Sequence, residues 1–305
     1  MTLILPSRPN AYTGSPVDRV SARRDDAAWV QAALADPRAA WLAVWRGRSL
    51  LRLHGDTAEA ALLAGHAAAP LREAAAQWAL LGVLEDRPVF AADISALEDP
   101  APLWSQDLTL ADLRGLVGLL PAPQAALLAQ ARALMHWRSR HGFCGNCGHA
   151  VEVRRAGNSL YCPACALEHF PRTDPAVIML VTNNDRALLG HSARFPASDM
   201  YSTLAGFVEP GESLEEAVAR EVWEEAGIHV HRVTYHSSQP WPFPASLMLG
   251  FYAESEQESL VLADDELTDA RWFTRAQIRD CAAHGFQLPR SDSIARRLIE
   301  DWVHA

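Results

Sequence analysis

The sequence predicts an α+β or α/β protein in three parts. An N-terminal α/β domain occupies residues 1–125, a cysteine-rich segment 139–171, and an α/β sandwich with a mixed sheet 172–305. Strand-like runs and helical segments mix in both halves without strict alternation, which argues against a doubly wound sheet. Four of the 5 cysteines lie close together between the two halves. Hydrophobic residues make up 49% of the chain and charged residues 21%, as in soluble globular proteins.

The N-terminal part contains two predicted hairpins and two predicted helices. Strand-like runs that flank short turns lie at residues 39–44, 49–53, 83–84 and 89–92. Residues 57–81 are rich in Ala and Leu and predict a mostly helical segment with a break near Pro70. Residues 110–137 predict a helix with breaks at Pro121 and Pro123. No motif here carries chemistry, so we expect this part to serve folding or dimerisation.

The C-terminal part predicts a mixed sheet with helices. Strand-like runs lie at residues 176–181, 187–190, 230–235, 246–253 and 270–273. Predicted helices lie at residues 213–226, 276–283 and 293–303. The turn residues Asn183-Asn184-Asp185 separate the first two strands.

The bulk properties exclude several classes of protein. With a formal net charge of -10, the chain offers long nucleic acid no general attraction, although a local basic patch remains compatible. No run approaches the roughly 18 apolar residues of a membrane span. Residues 1–6 lack the basic region and long apolar core of a secretory signal. The clustered cysteines do not resemble a disulfide framework, so we expect a reducing, cytoplasmic setting.

The four clustered cysteines form two C-x2-C pairs. Cys144 and Cys147 are followed, after 14 residues, by Cys162 and Cys165. Two such pairs let four thiolates converge in the tetrahedral geometry of a closed structural zinc site. Gly145, Gly148 and Pro163 are the residues that tight turns require there.

Redox cysteines or plain buried thiols are the alternative interpretations of this cluster. A single pair would leave them open, whereas two pairs at this spacing favour zinc. Four sulfurs fill the coordination shell, so we expect His149 and His169 to be bystanders and the zinc to be structural. Cys281 stands alone on a predicted helix and indicates packing.

A glutamate-rich helix is the most informative segment. Pro210-Gly211 forms a turn, Ser213 and Glu216 have the spacing of a capping box, and Gly227 has the position of a C-cap. Glu221, Glu224 and Glu225 follow i, i+3, i+4 spacing and therefore share one face of the helix.

Like charges at that spacing destabilise a helix, so a counter-charge is expected. Carboxylate oxygens are natural ligands for Mg²⁺ or Mn²⁺, which can bridge to substrate phosphates. A solvated acidic face is the alternative, and for a bare E-x-x-E-E cluster it would be the better interpretation. Here the preceding loop, Arg220 and two flanking glycines complete a longer pattern.

This pattern resembles the Nudix box, G-x5-E-x7-R-E-U-x-E-E-x-G-U, where U is a bulky aliphatic residue. The residues that match it are Gly206, Glu212, Arg220, Glu221, Val222, Glu224, Glu225, Gly227 and Ile228. The resemblance implies an α/β/α sandwich that hydrolyses nucleoside diphosphates linked to another moiety. By the same resemblance Glu221, Glu224, Glu225 and the Ala205 carbonyl bind the catalytic metals, Arg220 orients the carboxylates, and Glu212 braces the loop.

A proline- and aromatic-rich segment offers a clue to the substrate. It reads S-Q-P-W-P-F-P-A-S at residues 238–246. Alternating prolines stiffen the backbone and hold Trp241 and Phe243 between them, which suits stacking on flat rings. A proline-rich connector with incidental aromatic residues is the alternative for such a segment in isolation.

The segment is identical to the S-Q-P-W-P-F-P-x-S signature of the NADH pyrophosphatase (NAD⁺ diphosphatase) subgroup, whose members also carry a zinc ribbon. Residues 139–303 carry this resemblance, and the N-terminal third carries it more loosely, in the helix that runs into His136-Trp137 and Phe143-Cys144. The likeness implies substrate contacts by Phe170, Phe207, Gln239, Pro240, Trp241, Pro242, Phe243, Pro244, Ala245, Ser246 and Ala295. It also implies a further metal ligand at Glu266, within Asp264-Asp265-Glu266, and a homodimer whose sites draw on both subunits. Phe170 replaces the commoner Tyr, so stacking survives but a hydroxyl contact is lost.

The sequence therefore predicts hydrolysis of NADH or NAD⁺ to NMN(H) and AMP, with Glu224 or Glu225 accepting the proton of the attacking water. RNA bearing a 5′ NAD cap presents the same dinucleotide and is a variant substrate. Two alternatives remain: another Nudix specificity, such as ADP-ribose or a dinucleoside polyphosphate, or a non-enzymatic zinc-ribbon binding module.

Overall fold

The computed structural model describes residues 9–116, 118–262 and 266–305. Residues 1–6, and Asp264-Asp265 just before the predicted metal ligand Glu266, lie outside the described residues. The chain divides into two compact units. The N-terminal unit contains Tyr12–Thr173 and Trp241–Ala245. Of the described residues, the C-terminal unit contains residues 9–11, Asp174–Pro240 and Ser246–Ala305.

The N-terminal unit is built around a six-stranded sheet. Its helices are α1 (Ala27–Ala35), α2 (Ala69–Ala74) and α3 (Ala122–Arg140), and the sheet strands are β1 (Ala40–Trp45), β2 (Arg48–His54), β3 (Thr57–Ala60), β4 (Gln77–Leu84), β5 (Arg87–Asp93) and β6 (Leu108–Ala111). The strand order is β3-β2-β1-β5-β4, with β6 pairing β2. β1 and β5 run parallel, whereas β1–β2, β2–β3, β2–β6 and β4–β5 are antiparallel.

Both predicted hairpins of this unit are confirmed. Arg46 and Gly47 turn between β1 and β2 with φ of 49° and 77°, and Glu85 and Asp86 turn between β4 and β5 with φ of 48° and 60°. Left-handed residues at both central turn positions match the twist of antiparallel strands, which keeps each hairpin tight.

The predicted helix at residues 57–81 is wrong. The segment contains β3, the short α2 and the first half of β4. Ala58 and Ala60 are buried alternately along β3, and Leu80 and Leu81 in β4 are 0% exposed beside β5. Ala and Leu have high helix propensity, but pairing and burial at a sheet override it.

The predicted helix at residues 110–137 is correct only in its second half. Residues 108–111 form β6 against β2, and α3 begins at Ala122 with Pro123 in its first turn. Proline is tolerated at a helix start because the amide that it lacks has no partner there. The two prolines therefore mark the beginning of a helix and not breaks within one.

The cysteine-rich segment forms a small antiparallel sheet in the N-terminal unit. Its strands are β7 (Glu152–Arg154), β8 (Ser159–Tyr161) and β9 (Glu168–His169), in the order β7-β8-β9. Gly157, between β7 and β8, packs so closely on Trp78 and Ala79 of β4 that a Cβ atom would lie 2.6 Å from their atoms. The ribbon is therefore packed on the N-terminal sheet.

The C-terminal unit holds a second six-stranded sheet with helices on both faces. Its strands are β10 (Asp174–Asn183), β11 (Arg186–His191), β12 (Leu204–Phe207), β13 (His231–Trp241), β14 (Ser246–Glu254) and β15 (Asp269–Thr274), and its helices are α4 (Leu214–Ala226), α5 (Arg275–Arg279) and α6 (Ile294–His304). The order is β13-β14-β10-β11-β15, with β12 pairing β10. β10 runs parallel to β14 and antiparallel to β11 and β12.

Strand β10 separates the two hydrophobic cores of this unit. Ile178 and Leu180 pack with α6, whereas Val177, Met179 and Val181 pack with α4. Successive side chains of a strand point to opposite faces, so this alternation gives an α/β/α sandwich. The predicted sandwich is confirmed.

Among the described residues, no helix is both long enough and apolar enough to cross a membrane.

Candidate active site

Helix α4 has well-defined ends. The hydroxyl of Ser213 accepts a hydrogen bond from the amide of Glu216 at 3.2 Å, and the carboxylate of Glu216 accepts one from the amide of Ser213 at 2.7 Å. Gly227 ends the helix with φ of 67°. The predicted capping box and glycine C-cap are therefore confirmed, and they set the position of every glutamate along the helix.

The glutamates of α4 differ in exposure. Glu221 and Glu225 are 8% and 5% exposed, whereas the side chain of Glu224 is 48% exposed. Buried carboxylates are costly unless a counter-charge or hydrogen bonds compensate them. The helix thus holds two carboxylates where electrostatic interactions are strong and a third at the rim.

Gly206 is required by close packing and not by its backbone angles. A Cβ atom at this position would overlap the carboxylate of Glu221. The Glu221 side chain therefore lies against the backbone of β12, beside the peptide that carries the Ala205 carbonyl. The structure brings together these two groups, which are 16 residues apart in the sequence.

Arg220 connects most of the polar groups around the helix. Its guanidinium donates two hydrogen bonds to Glu212 at 2.6 and 2.9 Å, and one each to Glu221 at 2.8 Å and Glu224 at 2.9 Å. It also donates to the carbonyl of Phe207 at 2.9 Å. A planar guanidinium can bridge several acceptors at fixed angles, which a lysine cannot. Arg220 therefore orients the loop, β12 and two helix carboxylates together.

The protonation equilibria of these groups follow from their contacts. Hydrogen bonds from Arg220, and then one from the Glu209 amide, lower the pKa of Glu212 to about 2. Bonds to Glu212 first, and then to Glu221 and Glu224, raise the pKa of Arg220. Burial raises the pKa of Glu221, and the charges of Glu224 and Glu266 raise it further against the opposing effect of Arg220.

Glu266 is exposed and lies 3.6 Å from Arg194. Its effect on the Glu221 pKa puts its charge within electrostatic reach of α4. The structure therefore brings this residue towards the glutamates, 41 residues after Glu225 in the sequence.

The donor set of this site suits a divalent cation. Carboxylates and the Ala205 carbonyl are hard oxygen ligands, as Mg²⁺ and Mn²⁺ prefer. A cation would offset the burial, and then the repulsion from Glu224 and Glu266, that raise the Glu221 pKa. Within the described ranges, only the four cysteines bring three or more candidate ligand atoms within 4.8 Å of one another. The glutamates are spread more widely, and Arg220 bridges two of them.

The four cysteines fit a tetrahedral zinc ion. The sulfur–sulfur distances are 3.6 Å for Cys144–Cys165, 3.5 Å for Cys147–Cys162 and 3.7 Å for Cys147–Cys165. Zinc–sulfur bonds of about 2.3 Å in a tetrahedron place sulfurs roughly 3.8 Å apart. The four thiols leave no position for a water ligand, so the site is structural.

The two cysteine turns have the same hydrogen-bond pattern. The Cys144 carbonyl accepts from the Gly148 amide, and the Cys162 carbonyl accepts from the Ala166 amide, both at 2.9 Å. Gly148 and Ala166 both have positive φ, at 71° and 58°. The predicted role of Gly148 in its turn is supported, and Ala166 adopts the same backbone conformation without being glycine. Cys281 packs against a hydrophobic core, as expected, but it lies beyond α5, because the helix predicted at residues 276–283 ends at Arg279.

The signature segment is a strand end followed by a turn. Residues 238–241 extend β13, and Ser246 begins β14. Gln239 is only 1% exposed: its amide nitrogen donates to the Asp292 carbonyl at 2.7 Å, and its amide oxygen accepts from the Ile294 backbone at 2.8 Å. Its side chain holds the start of α6, where Ala295 is also buried. A direct substrate contact by Gln239 stays a prediction.

The middle of the signature, Trp241–Ala245, belongs to the N-terminal unit. There the Phe243 ring lies 4.6 Å from the Arg114 guanidinium and 4.8 Å from that of Arg132. Arg132 also donates to the Pro242 carbonyl at 2.9 Å. Phe243 is 8% exposed and Trp241 is partly exposed. Of the two aromatic residues, Trp241 therefore has more surface for stacking on a substrate ring.

A cationic cavity of about 510 Å³ adjoins this turn within the N-terminal unit. Residues 242–244 line it together with Arg46, Arg114, Arg132, His136 and Arg140. Asp93 is the single acid among the described lining residues. Burial, followed by the charges of nearby arginines, lowers the pKa of His136. The cavity is therefore a concentration of positive charge on an acidic protein.

No sequence motif predicts these arginines. They are scattered over residues 46–140, and no short motif connects them. Arg132 and Arg140 lie on α3, which carries basic residues but no acidic residue. This excess of positive charge on one helix is the feature of the sequence that indicates a cationic surface there.

The two aromatic residues predicted to flank a ring are both accessible. Phe170 is 58% exposed in the N-terminal unit, and Phe207 is 60% exposed in the C-terminal unit. Each ring therefore offers exposed aromatic surface that a ligand can contact.

Three family models match the chain. A NUDIX domain matches residues 172–299, an NADH pyrophosphatase-like rudimentary NUDIX domain matches 38–137, and an NADH pyrophosphatase zinc ribbon domain matches 139–170. Together they span most of the chain in the order that the sequence motifs predict.

Curated relatives agree with these matches. The chain is 44% identical over 221 residues to the NAD-capped RNA hydrolase NudC of Stutzerimonas stutzeri, covering 72% of this chain and 75% of that protein. It is 45% identical over 224 residues to NudC of Pseudomonas fluorescens, covering 73% and 76%. To the human NAD-capped RNA hydrolase NUDT12 it is 42% identical over 198 residues, covering 60% of this chain but 43% of that protein.

Among solved structures, a NUDIX hydrolase from Nitrosomonas europaea is similar with a TM-score of 0.39 and 21% identity, covering 48% of this chain and 96% of that one.

Proposed function

Because this chain belongs to the Nudix hydrolases, in the group with an NADH pyrophosphatase-like domain and zinc ribbon, we propose that it hydrolyses the diphosphate of NAD(H). Water attacks one phosphorus, the bond from that phosphorus to the bridging oxygen breaks, and the products are NMN(H) and AMP. RNA that carries the same dinucleotide as its 5′ cap is also a substrate. The names of the bacterial and human relatives, NAD-capped RNA hydrolases, support this part of the proposal.

One observation carries this proposal: the complete glutamate helix and the unbroken signature at residues 238–246 occur in one chain. The first supports diphosphate hydrolysis, and the second supports an NAD-type substrate. An intact set of acidic residues around Arg220 also argues against the alternative of a non-enzymatic binding module.

We propose that Glu221, Glu224, Glu225, Glu266 and the Ala205 carbonyl hold Mg²⁺ or Mn²⁺. Bound there, the cation lowers the pKa of water and neutralises phosphate charge. The packing of Glu221 on Gly206 supports a role for that carboxylate together with the adjacent carbonyl.

The protein groups have separate roles. Glu224 or Glu225 accepts the proton of the attacking water. Arg220 orients Glu221 and Glu224, and Glu212 fixes the Arg220 guanidinium through a bidentate pair. Burial of Glu225 strengthens the attraction between its carboxylate and a divalent cation.

The remaining predicted contacts serve substrate recognition. Trp241, Phe170 and Phe207 offer aromatic surface for the flat rings of a dinucleotide. Arg114 and Arg132 offer positive charge to phosphate groups beside the signature turn. Such a basic cavity on an acidic protein suits a short anionic substrate better than long RNA, so we expect the protein to bind only the capped end of an RNA.

The site is expected to function in a cytoplasmic homodimer, as the family resemblance implies. Sedimentation equilibrium tests the dimer directly: a mass near twice 33.4 kDa supports it, and a monomer at assay concentration contradicts it.

A substrate panel tests the proposed function. We expect kcat/KM for NADH and NAD-capped RNA to exceed that for ADP-ribose by about tenfold or more with Mg²⁺ or Mn²⁺. The Glu225→Gln variant, purified identically, supplies the background. A higher kcat/KM for ADP-ribose would favour another Nudix specificity, and inactivity with every divalent metal would contradict the enzymatic proposal.

A further inference from the structure

A closed ring of hydrogen bonds lies beneath the start of the signature. Its members are Asn10, Ser237, His236, Asp301 and Arg297, all in the C-terminal unit. Asn10 and Ser237 are 8% and 7% exposed. The side chains of His236 and Arg297 are 13% and 11% exposed, and that of Asp301, at the edge of the ring, is 32% exposed. The ring is therefore largely shielded from water and joins residue 10 to β13 and α6.

The chemistry of each group fixes the direction of every bond. Asp301 can only accept, so the Nε2 of His236 donates to it, at 3.1 Å. The Nδ1 of a neutral imidazole then accepts from the Ser237 hydroxyl at 2.8 Å. Burial and the Arg297 charge lower the pKa of His236, which agrees with the neutral form.

Asn10 and Arg297 close the ring. The amide of Asn10 donates to the Ser237 hydroxyl at 3.0 Å and to the Ser238 carbonyl at 2.8 Å. Arg297 donates to the Asn10 side-chain oxygen at 3.0 Å and to Asp301 at 3.2 Å. Asn10 thus contacts the first residue of the signature itself.

Gln239 makes a second connection next to the ring. Besides its bonds to Asp292 and Ile294, its amide nitrogen donates to the Ala11 carbonyl at 3.4 Å. Residues 10–11 and the start of α6 therefore hold the same short stretch of β13. That stretch and Ala295 are two of the segments predicted to contact the dinucleotide.

We propose that Asn10 is a positioning residue for substrate binding: through this ring it fixes residues 238–240 relative to the start of α6. The inference rests on the proposed NAD(H) substrate. It assigns a role to residues 9–11, to which no motif of the sequence points. None of the ring residues belongs to the glutamate helix, so the ring acts on binding and not on the proton transfer.

Asn10→Asp is the sharpest test because it preserves size and the acceptor for Arg297. It replaces the amide donor by an oxygen that faces the Ser238 carbonyl, so two hydrogen bonds are lost. Asn184→Asp, in the turn between β10 and β11, is the control with the same change of charge. We expect KM for NADH to rise about tenfold in Asn10→Asp, with kcat within about twofold, and no change in the control.

Ser237→Ala and Ser237→Thr add a rescue. The alanine variant should raise KM as Asn10→Asp does, whereas threonine keeps the hydroxyl and should recover most of the loss. An unchanged KM in Asn10→Asp, or equal KM in the alanine and threonine variants, overturns the proposal. The proposal is also overturned if kcat falls in proportion to the folded fraction measured by circular dichroism while KM is unchanged.

Amide hydrogen exchange separates this inference from the proposed function. If wild-type protein fails to hydrolyse NADH, the proposed substrate is wrong, but exchange at residues 237–241 still reports on the ring. Exchange at least about tenfold faster in Asn10→Asp than in Asn184→Asp supports positioning. Equal exchange overturns it.

Discussion

The two six-stranded sheets of this protein are alike in construction but differ in chemistry. Each combines a parallel pair, β1–β5 or β10–β14, with antiparallel neighbours, and each packs a long helix on one face. Helix α4 carries five glutamates, two of them buried, whereas α3 carries no acidic residue and contributes arginines to a cavity. The same architecture thus presents carboxylates for a cation in one unit and guanidinium groups for an anion in the other.

The largest effect is expected from Glu225→Gln. The substitution keeps the size of a 5% exposed side chain but removes the charge, so kcat should fall about 10²–10⁴-fold, in the range of lost proton-transfer catalysis. Steady-state kinetics measures the fall in kcat, and calorimetric titration measures the affinity of the variant for Mn²⁺ separately.

Glu215→Gln, on the exposed first turn of the same helix, is the matched control and should stay within about twofold of wild type. Near wild-type turnover in Glu225→Gln would contradict the contrast between the two units, because the buried carboxylate of α4 would then make no contribution to catalysis.

A smaller effect is expected from Arg132→Met in α3. This variant loses the charge that faces the cavity and the bond to the Pro242 carbonyl, so KM for NADH should rise about tenfold with little change in kcat. Arg132→Lys should recover part of the loss, since it restores charge without the guanidinium geometry.

Arg52→Met, on β2 in an exposed pair with Asp107, controls for the loss of one positive charge from the same unit. If it raises KM as much as Arg132→Met does, the effect is one of net charge and the cavity has no special role.

The smallest effect concerns acid stability. The pKa of Glu212 is lowered from 4.5 to about 2, so its pair with Arg220 stabilises the fold fully above pH 4.5, and the stabilisation is lost as pH falls towards 2. Glu212→Gln should therefore reduce the free energy of unfolding at pH 7 and differ less from wild type at pH 3. Urea unfolding at both pH values measures this.

Glu215→Gln again provides the control, because Glu215 lies only three residues after Glu212 and its carboxylate makes none of the hydrogen bonds to Arg220 described above. A Glu212→Gln deficit that is equal at pH 3 and pH 7 would exclude the ionised pair as its cause.

The amino-acid sequence alone predicts the local features of the site. The capping box at Ser213, the C-cap at Gly227 and the common face of Glu221 and Glu225 depend on spacing within one helix. The cysteine turns depend likewise on a few consecutive residues. In each case the partners lie within five residues of one another, so the sequence carries the complete interaction.

The tertiary structure decided what depends on distant partners. Residues 57–60 form a strand because β2 lies beside them, although their composition favours a helix. Gly206 is required because the Glu221 carboxylate, from another element, packs against it. Gln239 can be buried because its amide nitrogen donates to the Asp292 carbonyl and its amide oxygen accepts from the Ile294 backbone.

The sequence by itself therefore determined the caps and turns of the site, the types of residue that can bind metals and the family resemblance of this protein. The arginine cavity and the Asn10 ring were decided only by tertiary structure, because their members are brought together over long separations, up to 287 residues between Asn10 and Arg297. Spacing along the chain encodes contacts within a turn of helix or a hairpin, whereas contacts between elements depend on how sheets and helices pack.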